Sequence, residues 1–285
     1  MAAASMKDIK LRIKSMEGTK QITKAMQMVA ASKLRHAQER IASSRPYFQI
    51  LSGAMQDIIR TGGDFSSPYL EERPVKKVCY VVIAGDRGLA GGYNSNILKM
   101  VYGEMTACGK PVCVLPIGKK AVEFFRLRQI EILTTAYAEA AEISIADCFS
   151  LSKLLSKGFL DGQFDELRLG WTNFVSILSQ SPATRPLLPL RTEAQADAPA
   201  TRTDVLYDPS PRAVFDTIVP EYLGGIVYGA LCESVASELA ARRTAMDTAT
   251  KNTEDMIADL SLKYNRARQG AITQEITEIV AGAES

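Results

Sequence analysis

Residues Ile9-Lys-Leu-Arg-Ile13-Lys-Ser-Met16-Glu-Gly-Thr-Lys20-Gln-Ile-Thr23-Lys-Ala-Met-Gln27-Met-Val-Ala30 place a seam residue at alternating steps of four and three. The same spacing continues through Leu34, Ala37, Ile41, Ser44, Phe48, Leu51, Met55 and Ile58, a heptad repeat held over about seven heptads. It predicts one long helix from Met6 to about Ile59 with a single face turned to a partner helix. The middle of the seam holds Lys20, Thr23, Gln27 and Ala30 in place of leucines, so a strong zipper is not expected. Pro46 removes one ladder hydrogen bond and is expected to bend the helix locally.

A second such pattern lies at the other end of the chain. After the turn-and-cap signal Tyr207-Asp-Pro-Ser-Pro211, helical spacing runs to about Val280, with Leu231, Val235, Leu239, Arg242, Met246, Ala249, Thr253, Ile257, Leu260, Tyr264 and Ala267 on one face. Between the two, Val75–Ala84, Pro111–Ile117 and Ile130–Thr135 read as strands, and Ser95–Thr106, Lys119–Leu127 and Ser144–Leu160 as helices. Strand and helix in alternation mean a parallel, Rossmann-like α/β sheet. Glu166–Leu178 and Arg185–Leu190 are expected to close it as a hairpin. Gly62-Gly63-Asp64 is read as the end of the first helix and the polar stretch 191–203 as a loop.

Lengths then decide how the parts combine. At 1.5 Å per residue the C-terminal helix would reach on the order of 100 Å and the N-terminal one ~80 Å. An α/β domain of ~130 residues has a radius of gyration of about 14 Å, so neither helix fits inside it. The two are expected to project and to bury their seams against each other. The expected architecture is an antiparallel coiled coil of residues 1–60 and 210–285 with an α/β domain, 75–205, inserted between them.

Composition limits the function. The 285 residues carry a net charge of +2, too little for a chain that holds nucleic acid or an anionic membrane through its summed field. The charge is uneven: residues 1–45 have ten Lys/Arg against three acids, and residues 251–285 have four against six. Five scattered cysteines (Cys79, Cys108, Cys113, Cys148, Cys232) without metal-ligand spacing read as buried thiols in a reducing compartment. His36 is the single histidine and reads as a surface or seam residue, which argues against histidine-based catalysis and zinc. The longest apolar run, Val78 to Ala84, is strand-length, and the N-terminus lacks a signal-peptide core; a soluble, non-exported chain is expected.

Gly85-Asp-Arg-Gly-Leu-Ala-Gly-Gly-Tyr-Asn-Ser-Asn96 follows the first strand, where nucleotide-binding folds place a phosphate loop. Its spacing is not GxGxxG, and Gly118-Lys119-Lys120 lacks the loop and hydroxyl of a P-loop. Two readings stay open on the motif alone: a structural turn before a capped helix, or a nucleotide-binding α/β protein with a coiled-coil partner-binding appendage.

The block Ser237-Glu-Leu-Ala-Ala-Arg-Arg-Thr-Ala-Met-Asp-Thr-Ala-Thr-Lys-Asn252, with Tyr264-Asn-Arg-Ala-Arg-Gln269 and Ile272-Thr-Gln-Glu-Ile-Thr-Glu-Ile-Val-Ala-Gly-Ala283, closely resembles the gamma-subunit family of F-type ATP synthases. So do Gln21-Ile-Thr-Lys-Ala-Met-Gln-Met-Val-Ala-Ala-Ser-Lys-Leu34 and Asp86-Arg-Gly-Leu-Ala-Gly-Gly-Tyr-Asn94, and the likeness runs from about Met6 to Ala283.

The resemblance implies a rotor in the central stalk of a proton-translocating synthase of the bacterial type. It would have no active site or cofactor of its own and would couple rotation of the c-ring to catalysis in the alpha-beta hexamer. Implied partners are the alpha and beta subunits, the epsilon subunit and the c-ring, with peripheral attachment to the cytoplasmic side of the inner membrane. Arg268, Gln269, Thr273 and Glu275 match positions that meet a beta-subunit loop. Met26 and Arg242 match positions near an acidic lever segment of beta, and Lys20, Lys24 and Lys33 are expected to face that acidic segment. Ala90 stands where the family often has cysteine, and the paired-cysteine insertion of the plant plastid form is missing, so no thiol regulation is implied.

Overall fold

The computed structural model describes residues 6–61, 66–190 and 207–283; the expected helix break at 62–64 and the loop at 191–203 lie outside them. The chain forms two compact units, one from Met1–Ser32 with Arg242–Ser285 and the other from Lys33–Ala241. Helix α1, Met6–Thr61, and helix α5, Pro211–Ala283, each contribute to both. Pro46 in α1 and Pro220 in α5 sit inside continuous helix.

In the larger unit β1 (Val78–Ile83), α2 (Tyr93–Cys108), β2 (Val112–Ile117), α3 (Lys119–Leu127), β3 (Glu131–Ile132), α4 (Ile145–Leu160), β4 (Glu166–Phe174) and β5 (Gln180–Leu188) follow in order. The sheet runs β3-β2-β1-β4-β5, with Val78 opposite both Val112 and Glu166 in parallel pairings and β5 antiparallel to β4. All six residues of β1 are buried, which is why this strand reads as an unbroken apolar run: helices cover both of its faces. Val78, Tyr80 and Val82 pack with Ile97, Val101 and Met105 of α2 and Phe125 of α3. Cys79, Val81 and Ile83 point the other way, into a core shared with Leu151, Leu155 and Phe159 of α4 and Phe215, Val219 and Leu223 of α5.

Element types match the sequence expectation, and several bounds differ. The third strand shrinks to two residues because only Glu131 and Ile132 find partners on β2. The closing hairpin starts its return strand at Gln180, five residues before the expected Arg185. Pro182 hid the first half of that strand, and it and Pro186 are tolerated because β5 is an edge. Ser144 sits one residue before α4 as its N-cap, in a reciprocal capping box with Asp147. Of the cysteines, Cys79, Cys113, Cys148 and Cys232 are buried and Cys108 is half-buried. His36 is on the surface, 3.3 Å from Glu39.

In the smaller unit the start of α1 packs antiparallel on α5 around residues 247–254. Every seam position named from the sequence on either helix is buried or half-buried.

Candidate partner-binding coil and glycine-rich loop

Three polar pairs join α1 to α5 in the smaller unit. Lys20 Nζ lies 2.8 Å from Glu254 Oε1, the hydroxyls of Thr23 and Thr250 are 2.8 Å apart, and Gln27 Nε2 donates to Asp247 Oδ1 at 2.8 Å. The residue numbers of each pair add up to 273 or 274, which fixes one antiparallel register. The threonine pair is buried on both sides. Replacing a leucine layer with a bonded polar layer reduces hydrophobic stabilisation but penalises every shifted alignment, because a slip leaves buried hydroxyls without partners. Lys20 holds the Glu254 carboxyl below the ordinary carboxylate range, and Lys251, with Gln27 assisting, does the same for Asp247.

The same register sets Met6, where α1 begins, opposite Arg268. Burial follows that arithmetic: Ala267 is half-buried, and from Arg268 through Gly282 every residue is exposed. Among the described residues, the end of α5 is therefore an overhang with no partner strand of the coil beside it. Ile272, Ile276, Ile279 and Val280 recur on it at helical spacing, 48 to 65% exposed, an apolar stripe on an otherwise polar helix.

The residues singled out from the sequence fall into two groups. Arg268, Gln269, Thr273 and Glu275 lie together on the overhang, with Thr273 Oγ1 donating to the Gln269 carbonyl at 2.9 Å. Met26 and Arg242 are half-buried in the coil, Lys24 and Lys33 are exposed, and Lys20 is engaged with Glu254 of its own chain. Sequence reasoning did not find Asp247, Thr250 or the isoleucine stripe. Asp247 sits beside the seam and reads as one more solvated charge; only the antiparallel register reveals Gln27 opposite it.

The glycine-rich loop lies at the carboxyl end of β1, between β2 on one side and β4 on the other, where open α/β sheets bind ligands. Here the cradle is filled by the chain itself. The Asp86 carboxylate accepts the backbone N–H of Ala140 at 2.9 Å, of Ala141 at 3.2 Å and of Lys119 at 3.3 Å. Asn94 locks the loop from the far side, its Oδ1 accepting Gly85 N–H at 2.8 Å and its Nδ2 donating to the Arg87 carbonyl at 3.1 Å. Helix α2 begins after Gly92 with no side-chain cap. The cavity beside it, lined by Gly92, Tyr93, Asn96 and Thr172, measures about 100 Å³, well under the roughly 300 Å³ of small ligand pockets. In the loop itself Gly85 N–H is bonded to Asn94 and Tyr93 N–H to the Ala90 carbonyl, and the Asp86 carboxylate takes up the facing amides of Lys119, Ala140 and Ala141, so the geometry favours the structural turn.

The family model described as ATP synthase matches residues 5–285. The chain is 45% identical to the ATP synthase gamma chain of Ruminococcus albus, covering 97% of this chain and 96% of that one. The chain belongs to the ATP synthase gamma-chain family. The gamma chain of Moorella thermoacetica is 41% identical, with 99% of each chain covered. Among solved structures, the fold is shared with the rotor of the Euglena gracilis mitochondrial ATP synthase, at a TM-score of 0.63 and 18% identity over 94% of this chain and 98% of that one. It is shared too with the Tetrahymena thermophila central stalk and c-ring structure, at 0.58 and 23% over 80% and 99%. A member of this family is the central-stalk subunit of a membrane-associated synthase and not its catalytic subunit. Among the described residues, no helix is long and apolar enough to cross a membrane.

Proposed function

We propose that the chain turns as the shaft of a proton-translocating synthase, with residues 1–60 and 210–285 as the rotating coil and 75–205 as the domain that meets the epsilon subunit and the c-ring. In this reading the unpaired end of α5, residues 268–283, runs inside the alpha-beta hexamer. Arg268, Gln269, Thr273 and Glu275 engage a beta-subunit loop there. Met26, Arg242, Lys20, Lys24 and Lys33 face an acidic segment of beta, with Lys20 shared between that segment and Glu254. The complex sits on the cytoplasmic side of the inner membrane.

The overhang is the observation that carries this reading. A helix that exposes four apolar side chains on one face needs a sleeve. A shaft that must pass through several angles cannot be held strongly at any one of them, and a thin stripe on a single helix meets both needs. An asymmetric shaft presents a different face to each catalytic subunit in turn, which biases their conformations differently.

The test is a chain ending at Ala267, assembled into the complex. Proton-coupled ATP synthesis should fall sharply while the α/β domain stays folded by circular dichroism. Unchanged synthesis would remove the role assigned to Arg268, Gln269, Thr273 and Glu275.

A further inference from the structure

Within the larger unit, α1, α5 and β5 enclose an open groove of about 330 Å³, inside the size range of small-ligand sites. Phe48 of α1 with Tyr222 and Ile226 of α5 make its apolar wall. The wall is preformed: Phe48 lies so close to α5 that a Cβ on Gly225 would sit 2.5 Å from its ring, and Tyr47 and Tyr228 pack at centroid distances of 5.2 and 6.1 Å.

Two arginines from different elements border that wall, Arg45 of α1 and Arg185 of β5. Both are exposed, and among the described residues neither side chain forms an ion pair or hydrogen bond. The lining has one acid, Glu233, whose Oε2 accepts the Trp171 indole N–H at 2.9 Å. Two guanidinium groups and one carboxylate leave a single positive charge in excess. Guanidinium suits a carboxylate because its N–H fork matches the two oxygens, and a monoanion matches the net charge better than a dianionic phosphate.

We propose that this groove binds a small carboxylate-bearing amphiphile, with its head group held by Arg45 and Arg185 and its apolar tail on Phe48 and Ile226. The site lies within the larger unit, apart from the polar pairs of the smaller unit and from the overhang, and does not depend on the rotor reading.

Trp171 is the single tryptophan, and its bond to Glu233 makes it a reporter of the groove. The full chain is titrated with octanoate, with octanol and acetate as controls, following Trp171 fluorescence and the heat of binding. Octanoate should saturate, with octanol and acetate each weaker by at least about tenfold. Exchanging both arginines (R45Q with R185Q) should weaken octanoate by a similar factor. Gly229 lines the groove, and a Cβ there meets nothing within 4 Å. Gly229→Leu therefore fills the space, improves helix propensity and should abolish binding with an unchanged or higher melting temperature. The proposal is overturned if octanol or acetate binds as tightly as octanoate, if octanoate binding survives either the arginine exchange or Gly229→Leu, or if millimolar octanoate gives no saturation.

Discussion

The smaller unit and the larger one solve the same packing problem with different materials. The larger buries Tyr80, Phe125, Phe159, Phe164 and Phe215 at under 2% exposure, and its helices cover both faces of a sheet. The buried seam of the smaller unit is Ile9, Thr23, Ala30, Met246, Thr250 and Thr253. Bulky side chains in a two-faced core give stability through area removed from water. A seam in which threonine and alanine stand between Ile9 and Met246 has less such area and relies on bonded pairs for its alignment. The difference separates strength from register: one unit resists unfolding, the other resists slipping.

The sharpest way to break the comparison is to strain the strong unit. Gly118 has φ of +96°, and a Cβ built on it would lie 2.1 Å from the Ala84 carbonyl oxygen, a backbone atom that cannot swing aside. Gly118→Ala should cost more than about 4 kcal/mol by denaturant unfolding, followed through Trp171 fluorescence. A loss under about 1 kcal/mol would mean that the β1–α3 junction is far looser than described.

Next in size is Arg168. It bonds to both Glu104 and Glu166 and is one-third exposed, and Thr184 donates to the other oxygen of Glu104 at 2.7 Å. Burial, with the Glu104 charge adding to it, pushes the Tyr80 hydroxyl up to about 12. Arg168→Met leaves two carboxylates facing each other and should cost about 2 kcal/mol, discounted for solvent access.

The smaller unit should respond less. Thr23→Val with Thr250→Val removes both hydroxyls together, so no polar group is stranded, and the change in stability should stay within about 1 kcal/mol. The expected signature is lost register. Hydrogen exchange across 20–27 and 247–254 should quicken although the melting temperature holds. A melting temperature that collapses would show that the threonine pair contributes strength and not alignment.

Acid should have the smallest effect. The Glu254 and Asp247 carboxyls are depressed in the folded coil. Their contribution is complete above the ordinary carboxylate range and is lost as pH falls through the depressed folded-state values. Amide protection in the smaller unit should fall over that acid window, and less so at high salt.

Periodicity made the long helices legible. A repeat sustained over this many turns has no competing interpretation, and every named seam residue is at least half-buried. The parallel strands were legible because burial on both faces removes polar residues from them. Of β5 only the half from Arg185 on was legible, since Ser181-Pro182 at the start of an edge strand looks like a loop. The role of Asp86 was hidden too: the amides it binds lie 33 to 55 residues further along the chain, and no local motif encodes such a contact. On the coil, Lys20 was read as a charge for a partner subunit, and Glu254 near the far end of the chain turns out to hold it.

In the proposed rotor, α1 and α5 of the smaller unit turn together without sliding past each other. Thr23 and Thr250, with hydroxyls 2.8 Å apart, allow a direct test. The double variant T23C/T250C, oxidised to a disulfide within the assembled complex, should hydrolyse ATP at the rate of its reduced form, since the bridge joins two parts that already move together. Turnover that stops on oxidation and returns on reduction would show that the helices shift past each other during the cycle, and that the shaft does not turn as a locked pair.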